Sequence, residues 1–311
     1  MSAALHAVAV LAGALAIDLA FGDPPNRWHP VAWLGSAIAA ARRRFARGSP
    51  LRLLASGALV AFAVAALAAI AGALVARVGT MLGPAGLALE AVALSTCLSV
   101  RGLWRAASGI AGALERGDLG AARAALSFHL VSRPTADLDA GEVAAAVVES
   151  VAENLTDSVV APALMYLLFG LPGAALYRAI NTADAMIGYR EGVLEHFGKL
   201  AARADDLLNL LPARLAAFAI VVAAALTGAA PHRAVAILWR DRGRTASPNA
   251  GWTMAAMAGA LGVRLVKRNA YALGDGPLPE PRDIRRSLRI AAVALAVALG
   301  LPGLLIVINN L

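Results

Sequence analysis

Residues 158–187 read SVVAPALMYLLFGLPGAALYRAINTADAMI, and the way this stretch is taken decides how the rest of the chain is organised. It is apolar enough to enter a bilayer, yet Gly170-Leu171-Pro172-Gly173 stands in its middle, and that tetrapeptide is strong turn chemistry. Each half is then roughly 12–15 residues, short of the roughly 20 that a membrane helix needs. The economical reading is a helical hairpin, re-entrant or packed inside a bundle, that returns the chain to the side it left. Polar residues just before Ser158 and just after Ile180 then emerge on one membrane face, where they can form a single site.

Working outward, apolar runs long enough to span occur at about 3–21, 53–76, 79–100, 213–230 and 290–308. The chain of 311 residues is 59% hydrophobic with mean hydropathy +0.69, well beyond a soluble domain. Aromatics are only 5%, so the apolar mass is Ala, Leu, Val and Gly, which suits close helix packing in a membrane. The expectation is one integral membrane domain over 1–311: an all-α polytopic bundle of about five spans, a helical hairpin and long polar loops. The first run has no Lys or Arg before it and no cleavage site, so it reads as a retained segment. Cys97 is the only cysteine, which excludes an internal disulfide and a cysteine-based zinc site.

The net charge of +8 sits between the apolar runs, and it reads as Arg-rich cytoplasmic loops rather than nucleic-acid binding. Polar stretches lie at about 22–50, 101–157, 181–212 and 231–289. Arg42, Arg43, Arg44 and Arg47 place the first of them inside, simple alternation does the same for 101–157, and the hairpin for 181–212. The same counting puts 231–289 outside despite its many Arg residues. Charge outweighs the count, so one of 3–21, 213–230 or 252–266 is expected not to cross as a simple span.

Four polar clusters could carry chemistry. The densest holds Glu149, Glu153, Asn154 and Asp157, preceded by Glu142. A spacing of four lines up the three acids on one helix face, where like charges repel by roughly 0.2–0.5 kcal/mol per pair. Mg²⁺ bridging to substrate phosphates would offset that repulsion; the plain alternative is a solvated helix end. The second cluster runs from Asn181, Thr182 and Asp184 to Tyr189 and Arg190, then to Arg203, Asp205, Asp206 and Asn209. Against a role in chemistry stand a helix cap for Asp184 and salt bridges from Arg203 and Arg214 to Asp205 and Asp206.

The third cluster is Ser247-Pro248-Asn249 before a small-residue helix, a start whose free N–H groups and dipole attract phosphate, with Arg242 and Arg244 just upstream. A turn followed by a packing helix is the alternative. The fourth is the Pro-rich loop Gly22 to Val31, whose His29 could act as a base near neutral pH or serve as a structural hydrogen-bonding residue. Walker A, HExxH, GxSxG and GxGxxG elements are absent from suitable contexts, so an ATP user of this sequence is a nonstandard one.

These clusters, in this order, resemble the cobalamin-biosynthesis CobD/CbiB family, the adenosylcobinamide-phosphate synthases. The likeness rests on Asp23-Pro24 to His29-Pro30-Val31; Glu149 to Asp157 with Ala161-Pro162; Asn181-Thr182-Ala-Asp184-Ala-Met186-Ile-Gly188-Tyr189; Phe197-Gly198 to Pro212-Ala-Arg214-Leu215; and Ser247-Pro248-Asn249-Ala-Gly251 to Gly262. Two places depart from the family pattern. Its Gly-Arg-Asp-Thr stretch is Ser132-Arg133-Pro134-Thr135 here, and its Gly-Gly-Pro after the last motif is Val266-Lys267-Arg268.

The resemblance implies an ATP-dependent amide bond between the propionate carboxylate of adenosylcobyric acid and the amine of (R)-1-aminopropan-2-ol or its phosphate, with corrinoid and ATP as substrates and Mg²⁺ as cofactor. On this reading Glu149, Glu153 and Asp157 are the metal acids, and Glu149, Glu153, Asp184 and His29 are the catalytic candidates. Asn154, Asn181, Tyr189, Arg203, Asp205, Ser247 and Asn249 are expected to bind substrate or phosphate, with Arg133 a helper. The protein is then expected in the cell (inner) membrane with its active face cytoplasmic, embedded in lipid and associated with other enzymes of the pathway. Two rivals are weighed beside it: a Mg-dependent intramembrane prenyl or phosphoalcohol transferase, whose Asp-rich repeats this chain lacks, and a transporter. A transporter needs acids buried mid-span and two related halves, whereas only Asp18 and Glu90 lie within apolar runs and no internal repeat is visible.

Overall fold

The computed structural model describes the backbone of residues 2–308 and the side chains as far as residue 300. In chain order the helices are α1 (Ala3–Phe21), α2 (Pro30–Phe45), α3 (Pro50–Met81), α4 (Pro84–Ser95), α5 (Val100–Glu115), α6 (Leu119–His129) and α7 (Ala140–Leu155). They continue as α8 (Ala161–Ile187), α9 (Leu194–Phe197), α10 (Lys199–Leu208), α11 (Leu210–Leu226), α12 (Pro231–Asp241), α13 (Ala250–Leu261) and α14 (Pro281–Ile308). A π turn over Thr156–Val160 joins α7 to α8, and β1 (Leu265–Lys267) pairs antiparallel with β2 (Tyr271–Leu273). The chain is an all-α membrane bundle: four helical stretches among the described residues, Ala3–Phe21, Pro50–Met81, Pro84–Glu115 and Ala140–Ile187, are long and apolar enough to cross a bilayer. A fifth is added if α10 and α11 count as one bent span.

The helices pack as two compact units, each discontinuous in sequence. The first is built chiefly from residues up to Val100 together with Ala161–Asn209, the second from Arg101–Val160 together with Leu210–Pro302. In the first unit α8, α9 and α10 pack on α3, and α1 packs on α4. Small residues allow close approach: a methyl group added at Gly57 of α3 would overlap the carbonyl of Phe197. Asp18 and Glu90, the acids within apolar runs, are both engaged in structure. Asp18 Oδ2 accepts from Val100 N at 2.9 Å, capping the start of α5, and Glu90 Oε2 lies 3.3 Å from His6 Nε2. Neither outlines an ion path.

The expected break in 158–187 is present. Gly170 has φ 68° and ψ −164° inside α8, a conformation open to glycine, and Pro172 then opens the second limb, where its missing N–H costs nothing. A Cβ at Gly173 would stand 2.7 Å from the carbonyl oxygen of Met165, eight positions earlier, whereas a straight helix separates such residues by about 12 Å. The chain therefore turns sharply at this point. The first limb is longer than expected, because the helix continues upstream through the π turn into α7.

Three further expectations are corrected. The apolar run 79–100 is not one helix: Gly83, with φ 59°, and Pro84 break it, so the span-length stretch is Pro84–Glu115. The polar stretches are not long loops but mostly amphipathic helices. In α5, Leu103, Ala107, Ile110 and Ala111 are buried at helical spacing while Arg105 faces out. Residues 252–266 do not cross: α13 has 12 residues, almost all buried in the second unit, and the chain then enters β1. The expected span 290–308 belongs to α14, whose side chains from 301 onward lie outside the described residues.

Candidate functional site

In the second unit α7 is a buried helix, and its acids stand in a core rather than at the edge of a span. Asp139 and Glu142 start it with a capping box, and every residue from Val143 to Ala152 is buried. Glu149 is 6% exposed. Its Oε2 lies 3.6 Å from Arg133 Nη2, a long ion pair, while its Oε1 is buried without a hydrogen bond. Thr156, seven positions on and so on the same helix face, has a buried hydroxyl that is likewise unbonded.

Glu153, Lys267 and Tyr271 complete this cluster, each close enough to Glu149 to act on it electrostatically. The β1–β2 ribbon supplies the last two by pairing Lys267 with Tyr271 beside α7. Burial, followed by the charges of Glu149 and Glu153, pushes the Tyr271 phenol well above its ordinary value. Here the departure from the family's Gly-Gly-Pro has a structural account: Arg268 at the ribbon's turn clasps the Glu142 carboxylate and donates to Asp137 O at 3.0 Å. Pro134 stands where the family carries an acid, and the neighbouring Arg133 is the residue that faces Glu149.

The line of three acids ends at two. The π turn begins at Thr156, so the α-helical phase that aligns Glu149 with Glu153 does not extend to Asp157. Among the described residues no three His, Cys, Asp or Glu side chains are grouped to hold a metal. Two carboxylates, one with an open oxygen, suit Mg²⁺, which is commonly held by one or two carboxylates together with substrate phosphates and water. Asn154 is engaged within its own helix: its Nδ2 donates to Ser150 O at 2.9 Å and its Oδ1 accepts from Ser158 Oγ at 3.0 Å. It braces the π turn.

The start of α13, also in the second unit, carries the third cluster. Asn249 is buried and precedes the helix without capping it, because its Oδ1 accepts from Arg214 Nη1. Ser247 Oγ accepts from Asn249 N at 3.2 Å. The Arg214 guanidinium lies 4.6 Å from the Trp252 ring centre, and that of Arg242 lies 3.9 Å from Trp239. Among the described residues neither guanidinium has a carboxylate partner. Arg244 is different: with Arg240 it is tied to the fully buried Asp241, at 3.1 and 2.8 Å. Burial raises the Asp241 carboxyl, but Arg240, the Gly274 N–H and Arg244 more than offset this and hold it below its ordinary value.

The first unit holds the remaining candidates. Asp205 is buried and accepts from Asn181 Nδ2 at 3.1 Å and Asn209 Nδ2 at 3.0 Å, and Tyr177 donates to Asn209 Oδ1 at 2.9 Å. Two amides therefore hold Asp205, where the sequence suggests Arg203 or Arg214. Arg203 turns instead to Asp206 at 3.6 Å. Asp184 lies against Gly188, whose lack of a side chain makes room for the carboxylate.

A cleft of about 200 Å³ is lined by Tyr189, Arg190, Lys199 and Arg203, together with Glu195 and Asp206. Sequence reasoning names Tyr189 and Arg203 but passes over Lys199, although its spacing of four from Arg203 on α10 is a readable signal. His29 is the N-cap of α2: its Nδ1 accepts from Val31 N at 3.2 Å and its Nε2 faces Asp23 Oδ1 at 3.4 Å. With both nitrogens engaged, it fits the structural reading better than that of a base. Burial raises Asp23, but hydrogen bonds from His29 and Ser99 and the charges of His29 and Arg178 bring it below the ordinary carboxylate value.

Comparison with known proteins agrees with the order of these motifs. The family described as CobD/Cbib protein matches residues 11–299. A cobalamin biosynthesis protein CobD of Dehalococcoides mccartyi is 43% identical over 88% of this chain and 89% of its own length. A probable cobalamin biosynthesis protein CobD of Methanothermobacter thermautotrophicus is 42% identical over 86% and 87%, and one of Rhodobacter capsulatus is 38% identical over 97% and 99%. No solved structure matches.

Proposed function

The chain belongs to the CobD/CbiB family, and on that premise we propose that it is the ATP-dependent synthase joining adenosylcobyric acid to (R)-1-aminopropan-2-ol or its phosphate. The observation that carries the reading is Glu149: a carboxylate buried in α7, paired at long range with Arg133, with one oxygen left without a hydrogen bond. A buried charge of this kind is costly and is accounted for by a ligand that completes it.

A carboxylate is a poor electrophile. In the proposed reaction a propionate oxygen of the corrinoid attacks the γ-phosphorus of ATP, ADP leaves, and an acyl phosphate forms. The neutral amine then attacks the acyl carbon, the C–N bond forms, and phosphate departs. Mg²⁺, when bound, neutralises phosphate charge during the transfer. Glu149 and Glu153 would hold it, and an acid must also take the proton that the ammonium sheds; Asp184 is assigned to the same reaction. Arg203, Lys199 and Arg190 suit a phosphate group, as do Arg214, Arg242 and the start of α13. Because ATP and corrinoid are cytosolic, the active face is assigned to the cytoplasmic side of the cell membrane.

The test uses detergent-purified protein with adenosylcobyric acid, aminopropanol phosphate and Mg-ATP, and the amide is read by mass. No product from a folded sample that binds ATP rejects the proposal. Glu153→Gln should abolish turnover while leaving corrinoid binding intact, and a fully active Glu153→Gln would remove the α7 acids from the chemistry. Reporter fusions near residue 245 and at residue 311 check the assigned side.

A further inference from the structure

Within the first unit, α2, α3, α4 and the second limb of α8 enclose a cavity of about 690 Å³ that neither acid cluster uses. Its walls are almost wholly apolar, among them Leu67, Ala71, Val75, Leu89, Val92 and Leu171. Along α3 it runs from Leu67 to Val75, about 12 Å at the helical rise. Its polar end is formed by Thr96, Cys97 and Arg178. The Arg178 Nε is buried without a hydrogen bond, and Nη1 reaches Asn181 Oδ1 only at 3.4 Å. The nearest acid, Asp23, is already held by His29 and Ser99. Trp28 and Trp33 line the rim and are largely exposed, as suits side chains at a membrane interface.

We propose that this cleft binds an anionic phospholipid, with an acyl chain along α3 and the phosphate at Arg178. A cation within an apolar helical stretch calls for a partner, and a phosphate oxygen supplies the acceptor that Nε lacks. The walls match a hydrocarbon tail. They do not match a corrin ring rimmed with amides, since the Thr96 hydroxyl already donates to Ala93 O at 2.8 Å. Nor do they match a triphosphate, which needs several cations where the cleft offers one.

The test is made on protein reconstituted with equal phosphatidylglycerol and phosphatidylcholine, released gently and weighed with its retained lipid. Phosphatidylglycerol should be retained over phosphatidylcholine by about tenfold, the worth of one charge-assisted hydrogen bond. Arg178→Gln should remove that preference, and Ala71→Trp, which fills the cleft, should remove retention of both lipids while helical circular dichroism is unchanged. Equal retention of the two lipids by the wild type overturns the proposal, as does undiminished retention in folded Ala71→Trp. A photoactivatable phosphatidylglycerol on the wild-type protein tests the same point without a variant. Adducts on residues 67–75 and 89–96 support the cleft, and adducts confined elsewhere overturn it.

Discussion

Replacing Glu149 with glutamine separates a structural acid from a functional one, because the two roles predict opposite effects on stability. If Glu149 held the fold, losing its charge would destabilise the second unit. The geometry says otherwise. The pair with Arg133 is 3.6 Å long and Arg133 is about a quarter exposed, so its loss costs at most about 1 kcal/mol. Against this, a buried carboxylate oxygen without a hydrogen bond costs about 1–3 kcal/mol, which neutralisation largely removes. The net is a gain of about 0–2 kcal/mol, so the melting temperature in detergent should hold steady or rise by a few degrees. Turnover should fall by about 10²–10⁴ if Glu149 positions metal or moves a proton, a loss of roughly 3–5 kcal/mol of transition-state stabilisation. Thermal unfolding followed by circular dichroism and amide formation followed by mass measure the two sides. A melting temperature several degrees lower, or unchanged turnover, refutes the reasoning.

The Asp241→Asn variant should lose about 2–3 kcal/mol of stability in thermal unfolding, since Arg240, Arg244 and the Gly274 N–H all converge on that buried carboxylate. Because its folded pKa lies below the ordinary 3.8, the unfolded chain takes up the proton first. Asp241 then contributes fully above about pH 5 and loses its contribution as pH falls through the depressed folded value; a wild-type acid-stability curve that the Asn variant reproduces counts against this. Gly57→Ala should destabilise by about 1–3 kcal/mol through overlap with the Phe197 carbonyl, seen as a lower melting temperature, and an unchanged one counts against the close approach of α3 and α9. Lys199→Ala with Arg203→Ala should raise KM for the phosphorylated amine by about tenfold or more and leave KM for the free amino alcohol nearly unchanged. Equal effects on both amines remove phosphate from that cleft.

The parts of the fold written in length and punctuation were legible. α1 and α3 follow from uninterrupted apolar runs, and the turn at Gly170 follows from Gly-Leu-Pro-Gly. Read for net polarity, residues 101–129 suggest a loop, yet Leu103, Ala107 and Ile110 recur at helical spacing and bury one face of α5. The Glu149–Glu153 alignment was visible, but the π turn that ends it depends on packing around Thr156. Nor could the chain order reveal that Lys267 and Tyr271 stand beside Glu149, because a ribbon more than a hundred residues downstream brings them there. Arg268 in place of the family's proline is intelligible only once its clasp on Glu142 is seen.

The buried acids of this protein form a series against which Glu149 can be judged. Asp18 caps α5 through Val100 N at 2.9 Å, and Glu90 faces His6 at 3.3 Å. Glu142 closes a capping box and pairs with Arg268. Asp205 accepts from two amides, Asp241 from two arginines and a backbone N–H, and Asp283 from Arg286 at 2.8 Å and Glu280 N at 3.0 Å. Each of these carboxylates has a short partner that compensates for its loss of water, as buried polar groups require. Glu149 has a single ion pair, and that one is long, although Lys267 and the Tyr271 hydroxyl stand beside it. Repulsion from Glu153 one turn away adds to the cost. A fold maintained for packing alone would replace such a residue with an apolar one of similar size at little loss. Its presence, beside cations and an unbonded Thr156 hydroxyl, is explained by what the acid binds.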